Sequence, residues 1–381
     1  MNRKVYQTVM VLSCVLLAVS PATSAGPPNP TPSDAQGNTA GGASALDANT
    51  EGNDNTAFGF WALVENTEGN ANTAHGTGTL LSNTVGSANT ATGFSALIEN
   101  KTGGGNTANG FAALTFNTTG FMNTASGYNA LRSNTTGANN TANGVAVLSF
   151  NTTGRANTAS GYYALQSNTI GNYNAALGVE ALRFNTTGAN NTGSGTNALH
   201  FNTTGANNTA SGINALRANT TGSSNTALGN GAGSLLTSGS NNIYLGHLGV
   251  ASESNTLRLG STQTRAFIKG VGGVPISGLQ VTINAAGQLG VAPSSARYKQ
   301  DIAPLAVQES EKIHQLRPVT FHYKTEASGP LQYGLIAEEV AHVYPEVVTR
   351  DADGAIEGVR YEELTPLLLK EVQGQPQQIA T

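Results

Sequence analysis

The most regular feature of the chain is a pattern of apolar and polar positions that repeats every 17 residues. An Asn-Thr-Ala triplet or a close variant begins at Asn38, Asn55, Asn72, Asn89, Asn106, Asn123, Asn140, Asn157, Asn174, Asn191, Asn208 and Asn225. The consensus is N-T-A-x-G-x-x-A-L-x-x-N-T-T-G-x-x, and no copy contains an insertion. Seventeen residues are too few for a helical hairpin and suit one coil of a β-solenoid.

Individual positions of the repeat have distinct physical roles. Leucine recurs at one position and can form an apolar column: Leu63, Leu97, Leu114, Leu131, Leu148, Leu165, Leu182, Leu199 and Leu216. Three residues earlier the side chain is usually aromatic or branched: Phe60, Phe94, Phe111, Tyr128, Val145, Tyr162, Val179 and Ile213. Phenylalanine also recurs two residues after the leucine, at Phe116, Phe150, Phe184 and Phe201. The asparagine columns predict amide ladders between stacked coils.

The same pattern predicts the local structure of each coil. We expect a short strand at N-T-A-x and one helical turn at G-x-x-A-L-x-x-N, because apolar spacings of three and five suit a helical turn better than alternation. Two sets of glycines are expected at corners with positive φ: Gly59, Gly110, Gly127 and Gly161, and then Gly120, Gly137, Gly154 and Gly188. Residues 38–241 are therefore predicted to form a mainly β shaft.

The repeat is lost after residue 241, and two further segments follow. Residues 242–293 hold alternating apolar stretches bounded by Gly or Asn and read as a β-rich neck, with a hairpin whose turn lies near Ala285-Ala286-Gly287. Residues 294–381 read as a small α+β domain. Its predicted helices cover 307–316, 335–343 and 364–372, and its predicted strands cover 319–324, 346–350 and 358–363. Gly374 and Pro376 are expected to end the last helix. The DADG segment between two of the strands is expected at a hairpin turn, because it lacks the rest of a calcium loop.

The density of charged residues rises sharply at one point of the chain. Charged residues are only 10% of the total and the net charge is −4, which argues against a nucleic-acid-binding protein. Of the 40 Asp, Glu, Lys and Arg residues, 21 lie in residues 294–381. The composition therefore predicts a domain boundary at Ser294.

The N-terminus has the pattern of a secretory signal peptide. Residues 1–25 combine a charged start at Arg3 and Lys4, a short apolar core and a small-residue end, and residues 26–37 read as a Pro-rich linker. We therefore expect export to the cell surface or the extracellular space. The segment around Cys14, the only cysteine, faintly resembles a lipoprotein box, but the apolar stretch before it is too short. Cys14 otherwise leaves with the signal, and disulfides then cannot support the fold.

The NTAxGxxALxxNTTG copies resemble the β-roll heads of trimeric autotransporter adhesins and the shafts of bacterial and phage tail-fibre proteins. Adhesin heads usually use a shorter repeat, so the extra turn is a departure. The resemblance implies a homotrimer, which is a common closed symmetry. Packing several chains around one axis would also bury apolar columns for which one chain has little core. Asn117, Asn134 and Asn151 fit the glycosylation sequon, but they recur at the solenoid period and are better interpreted as ladder positions.

Residues 294–373 resemble the endosialidase-type intramolecular chaperones, which are self-cleaving serine peptidases at the ends of trimeric fibres. The motifs that carry the resemblance are SSARYKQDIAPL, IHQLRPVTFHYK, QYGLIAEEVAHVYPEVV and GVRYEELTPLLLKEVQ, in that order. In that family a serine begins the chaperone and a lysine five residues later completes a dyad. The resemblance implies catalytic roles for Ser294 and Lys299 and a cut between Pro293 and Ser294.

The chemistry of such a dyad sets conditions on its surroundings. A serine hydroxyl needs a base to take its proton, and Lys299 can serve only if it is neutral. Arg297 is a candidate cation beside the lysine, and Glu338 and Glu339 are candidate supporting groups. Ser295 stands where the family often has aspartate, so it could compete as nucleophile. A surface Lys299 in a domain that no longer cuts is the alternative interpretation.

Three functions compete on this sequence. The first is an exported trimeric fibre that presents an adhesive surface and is matured by self-cleavage; the second is a structural spacer with an uncut trimerisation domain. The third is a glycan-cleaving enzyme, which ranks last because residues 38–241 show no convergent pair of carboxylates. The predicted partner is the chain itself, and adhesion implies a surface glycan or host-cell ligand. No cofactor or metal is predicted, since His314, His322 and His342 lack metal-site spacing.

Overall fold

The computed structural model describes most of the chain after the predicted linker. The described residues are 34–268, 281–284, 287–326, 328–351 and 353–379. The predicted signal peptide, residues 26–33 of the linker, and Ala285 and Ala286 of the predicted hairpin turn lie outside them. The chain divides into two units between Phe267 and Ile268.

The first unit is a parallel β-solenoid of thirteen turns. Fourteen strands form one sheet in chain order, each hydrogen-bonded to the next. They are β1 Thr39–Gly41, β2 Thr56–Phe58, β3 Thr73–His75, β4 Thr90–Thr92, β5 Thr107–Asn109, β6 Thr124–Ser126, β7 Thr141–Asn143, β8 Thr158–Ser160, β9 Ala175–Leu177, β10 Thr192–Ser194, β11 Thr209–Ser211, β12 Thr226–Leu228, β13 Ile243–Leu245 and β14 Leu257–Leu259. Equivalent positions pair between coils, as Ala57 does with Ala74. The predicted 17-residue coil with a strand at the Thr-Ala segment is confirmed.

A single chain buries its own leucine column. The middle alanine of most strands faces inward, and the Ala-Leu pair of the corner meets it, so that Ala130 and Leu131 are fully buried. The columns at the Phe60 and Phe150 positions remain on the surface, with Phe111 49% and Phe150 50% exposed. The expectation that one chain is short of core is therefore wrong for the leucines and right only for the aromatic columns.

Two asparagine ladders run through the solenoid interior, as the sequence predicts. In one ladder, the Asn140 side-chain amide donates to Asn123 Oδ1 at 3.1 Å and to the Gly154 carbonyl at 2.9 Å. In the other, the Asn134 amide donates to Asn117 Oδ1 at 2.8 Å and to the Gly137 carbonyl at 3.0 Å. The sequon asparagines belong to this second ladder and are buried, so the folded shaft does not present them for glycosylation.

The predicted helical turn at each corner is wrong. Residues 34–268 contain no helix, and the corner is instead a tight turn with left-handed residues such as Trp61 (φ 60°) and Leu63 (φ 53°). This conformation aims the Leu63 N–H at the Thr79 carbonyl of the next coil, 3.0 Å away, rather than back along its own turn. Stacking of coils thus satisfies the backbone groups that a helix would satisfy internally.

The two sets of glycines are required for different physical reasons. The first has the predicted positive φ, which is 137° at Gly59. The second does not, and the prediction for it is wrong: a Cβ on Gly120 would lie 2.3 Å from Asn117 Oδ1 and 2.5 Å from the Gly137 carbonyl oxygen. Glycine is required there because the side-chain oxygen of Asn117 in the same coil and the Gly137 carbonyl oxygen of the next coil leave no room for a Cβ.

The solenoid continues past residue 241, where the sequence predicts the repeat to end. β13 pairs with β12 and β14 pairs with β13, although the spacing is shorter in the last coil. Gly233 takes the leucine position of its coil, and a Cβ there would lie 2.7 Å from the ring of Tyr244. The fully buried Tyr244 therefore occupies the space of the missing leucine at the end of the core.

At the N-terminal end of the solenoid, the carboxylate of Asp34 ends one asparagine ladder. Asp34 Oδ1 accepts from the Asn38 backbone N–H at 2.7 Å, and Asp34 Oδ2 accepts from the Asn38 side-chain amide at 3.0 Å. Asn38 plays the same part for Asn55 in the next coil. The hydrogen bonds from Asn38 lower the pKa of Asp34. A carboxylate only accepts, so it completes the first coil without requiring a further asparagine.

Replacing a ladder asparagine should destabilise the shaft strongly. Asn140→Ala removes the acceptor of the buried Asn157 backbone N–H, and it removes one of the hydrogen bonds made by the Asn157 side-chain amide, by Asn123 Oδ1 and by the Gly154 carbonyl. A buried group left unpaired costs roughly 1–3 kcal/mol and each further hydrogen bond lost costs roughly 0.5–1.5 kcal/mol, so we expect a loss of about 3 kcal/mol or more in the free energy of unfolding. The exposed Asn143→Ala is the control and should change it by less than about 0.5 kcal/mol. Chemical denaturation of both variants tests this, and equal losses would contradict an energetic role for the ladder.

The described residues of the second unit form short antiparallel hairpins and three α-helices. Its strands are β15 Thr282–Ile283, β16 Leu289–Gly290, β17 Val319–Phe321, β18 Gln332–Gly334, β19 Val348–Arg350 and β20 Ile356–Val359, paired in that order two by two. Its α-helices are α1 Val307–Glu311, α2 Ala337–Val343 and α3 Tyr361–Ile379, and 3₁₀ turns cover Ala296–Tyr298, Lys312–Gln315, Lys324–Glu326 and Pro345–Val347. The predicted α+β domain, the hairpin of the neck and the turn at DADG are confirmed.

The core of this unit joins α2, the β19–β20 hairpin and the start of α3. Val340, Tyr344, Val347, Leu364 and Leu367 are buried together. The prediction that Gly374 and Pro376 end the last helix is wrong, because the backbone of α3 continues through both to Ile379. A proline removes one intrahelical bond, and near a helix end the remaining bonds carry the helix on. In the described part of the chain, no helix has the length and apolarity needed to cross a bilayer.

Candidate functional site

The two predicted catalytic side chains lie next to each other. Lys299 Nζ is 3.4 Å from Ser294 Oγ, at the outer limit of a hydrogen bond. One 3₁₀ turn at Ala296–Tyr298 separates them, with the Tyr298 N–H donating to the Ser295 carbonyl. This turn folds the chain back, so a spacing of five residues places the amine against the hydroxyl.

Both side chains are exposed in the single chain. A hydroxyl attacks a carbonyl only as a base removes its proton, and a lysine is that base only in its neutral form. Water stabilises the ammonium form, so an exposed pair has the geometry of a dyad without the dry surroundings that would activate it. Any activation must come from groups that cover Ser294 and Lys299.

The predicted supporting groups have other contacts. The Arg297 guanidinium stacks over the Tyr298 ring, 4.7 Å from its centroid. The Glu339 carboxylate forms a two-pronged pair with Arg317, at 2.5 Å and 3.2 Å, and these hydrogen bonds lower the pKa of Glu339. The backbone carbonyl of Glu338 accepts a hydrogen bond from His342 Nδ1 at 2.7 Å. Within the described residues no contact brings Arg297, Glu338 or Glu339 to the Ser294–Lys299 pair.

The sequence did not indicate a polar cluster that fastens the last helix. Ser310 Oγ on α1 donates to Glu371 Oε1 on α3 at 2.5 Å, and His314 Nε2 lies 3.1 Å from Glu371 Oε2. The hydrogen bond from Ser310, and then the contact with His314, lower the pKa of Glu371. Ser310 and Glu371 are 61 residues apart, and no local pattern signals such a pair.

The comparison with known families identifies the segment that holds the pair. Residues 294–349 match the family model described as chaperone of endosialidase. This segment is a chaperone-of-endosialidase domain. The match begins at Ser294, where the composition changes, and the predicted family resemblance is confirmed. No curated protein and no solved structure matches the chain.

The family match covers α1, α2, β17, β18 and the start of β19, and it leaves β20 and α3 outside. The contacts of α3 nevertheless hold the chaperone domain together. Tyr361 Oη accepts a hydrogen bond from the Leu335 backbone N–H at 2.8 Å, and Glu371 Oε1 accepts one from Ser310 Oγ. The structural unit therefore extends beyond the matched residues, and the chain is a tail-fibre-like protein with a C-terminal chaperone.

Proposed function

We propose that this chain is an exported, trimeric, fibre-like protein whose chaperone domain directs assembly and then cuts the chain between Pro293 and Ser294. Ser294 is the nucleophile and Lys299 is the base. The observation that carries the proposal is the 3.4 Å approach of Lys299 Nζ to Ser294 Oγ at the first residue of the matched family segment. The signal-like pattern of residues 1–25 supports export.

The proposed reaction moves one acyl group. Lys299, as a neutral amine, takes the proton of the Ser294 hydroxyl while Ser294 Oγ attacks the Pro293 carbonyl carbon. The peptide bond between Pro293 and Ser294 then breaks, and its nitrogen leaves as an amine with the proton that Lys299 returns. Water then releases the Pro293 carboxylate from the ester. The pair is exposed in one chain, so we propose that a second copy covers it, removes water and favours the neutral amine. Cutting would then follow assembly rather than precede it.

The repeat explains why assembly needs direction. Every coil presents nearly the same contacts, so a displacement by 17 residues within or between chains satisfies almost the same bonds. Misassembly of this kind is typical of repeat proteins. A domain that gathers three C-terminal ends at equal height would select one register before the shafts associate. Removal of the domain afterwards would make disassembly slow rather than readily reversible.

Adhesion remains the proposed role of the finished shaft, with a surface glycan or host-cell ligand as partner. An open apolar hollow of about 550 Å³ supports it, lined by Phe184, Phe201 and neighbouring small side chains. The Phe184 and Phe201 rings stack 5.7 Å apart, and Arg217 lies 5.1 Å above the Phe201 centroid. Aromatic rings can pack against the apolar C–H groups of a sugar ring, and neighbouring cationic and hydroxyl groups can form hydrogen bonds with its hydroxyls.

The whole chain tests this function directly. After expression with its own N-terminus, mass spectrometry should find a fragment that begins at Ser294, and light scattering on the remaining shaft should give the mass of three chains. An uncut trimer would instead favour the structural spacer. A monodisperse uncut monomer would contradict both functions.

A further inference from the structure

One exposed column of the solenoid is apolar over most of its length. The column three residues before the leucines carries Phe60, Phe94, Phe111, Tyr128, Val145, Tyr162, Val179 and Ile213, each between 40% and 53% exposed. Phe94, Phe111 and Tyr128 stack on one another with centroid distances of 5.4 Å and 5.3 Å. We call these eight residues the apolar strip. Its members share apolarity rather than aromaticity, which suits contact with protein better than contact with a sugar.

The strip lies on a side of the solenoid that is almost free of charge. Residues 38–241 contain twelve Asp, Glu, Lys and Arg residues. If the Asn that begins each repeat is position 1, the strand starts at position 2 and the strip residue is position 6. Only one of the twelve charged residues, Glu180, lies at positions 2 to 7. The other aromatic column is different, because Arg132, Arg183 and Arg217 stack over its rings. A symmetry axis parallel to the solenoid places each residue near its own copy, so a charge there would meet a like charge.

The area of the apolar strip is also of the size needed for contact with another copy of the chain. Its five aromatic side chains expose about half of roughly 150–250 Å² each, which amounts to roughly 400–600 Å² per chain. A stable interface needs about 800 Å² per partner. The aliphatic members and the neighbouring uncharged strand positions, such as Thr107 and Asn109, can supply the difference.

We infer that the apolar strip is the seam at which the shafts of neighbouring copies pack, side by side and at equal height. The inference rests on the proposed trimer and adds which face of the shaft forms it. Equal height follows from the strip itself, since large members such as Phe111 and small members such as Val179 must meet identical neighbours on the other copies. The Phe150 column then stays outside, where a ligand can reach it.

Single cysteines on the full chain can locate the seam, because Cys14 is the only cysteine and Cys14→Ser removes it. In that background we compare Phe111→Cys with Phe150→Cys, which replace rings of equal exposure on the two columns. A short thiol-to-thiol crosslinker should give at least tenfold more two-chain product with Phe111→Cys. Mixed Phe111→Cys and Val179→Cys chains should give little mixed product, because four coils of about 4.8 Å separate the positions.

The outcomes separate the seam from the proposed function. Light scattering that still shows three chains, together with crosslinking only in Phe150→Cys or in neither variant, overturns the seam and leaves the trimer. A wild-type shaft with the mass of one chain overturns the trimer itself. A charge provides a second measurement: Phe111→Glu should lose the three-chain species, whereas Phe150→Glu should retain it. Retention in both variants counts against the seam even if crosslinks form.

Discussion

Ser294→Ala should abolish the fragment that begins at Ser294 and leave the whole chain uncut. The substitution removes the hydroxyl oxygen that lies 3.4 Å from Lys299 Nζ at the start of the chaperone domain. Loss of a nucleophile or of its base costs about 10⁴- to 10⁶-fold in rate in comparable hydrolytic sites, so Lys299→Ala should also leave no measurable product. Mass spectrometry of the chains after expression measures both results.

Ser295→Ala is the matched control for this pair. Ser295 is the neighbouring exposed hydroxyl, and its carbonyl rather than its side chain closes the 3₁₀ turn. We therefore expect Ser295→Ala to be cut as the wild type is. A fragment that begins at Ser295 in Ser294→Ala, or an uncut Ser295→Ala, would transfer the role of nucleophile to Ser295. Lys299→Arg adds a further test, because arginine keeps the positive charge but cannot act as a base.

The sequence predicts those features that depend on regular spacing or on near neighbours. The 17-residue period required every coil to occupy an equivalent place, and the buried Leu131 and the ladder at Asn140 followed from it. The approach of Ser294 to Lys299 spans only five residues, so one turn of backbone can produce it. In each case the information lies within one coil or one turn.

The features that the sequence did not predict depend on backbone conformation or on distant residues. At the corner, Trp61 and Leu63 have positive φ angles, which residues of their type usually avoid. The spacing of apolar residues gives no information about whether φ is positive or negative. The sequence predicts a glycine constraint at Gly120, but its cause is the Asn117 Oδ1 and Gly137 carbonyl oxygens that a Cβ would meet, and not a positive φ. The Ser310–Glu371 contact joins residues far apart, and no motif announces it.

Because each chain forms its own leucine core, deletion of the chaperone domain should not prevent the coils from folding. Since one chain buries Leu131 and its equivalents, a chain that ends at residue 293 can form coils by itself. What it lacks is a means of aligning three chains, and equal coils leave many displaced alignments nearly equal in free energy. We expect coiled but misassembled material, detected by light scattering as a broad distribution of masses. The path to assembly is affected, and the stability of a correct trimer is not.

The decisive comparison uses two shafts of identical covalent structure. One is released by self-cleavage of the whole chain, and the other is expressed with its end at residue 293. The first should be a single heat-resistant species with the mass of three chains, and the second should show mixed masses and aggregates under the same conditions. Because the residues are the same, a difference can arise only from the history of folding, which is the signature of kinetic control. An equally uniform trimer from the shorter chain would remove the need for a chaperone, and a uniform monomer from both would remove the trimer.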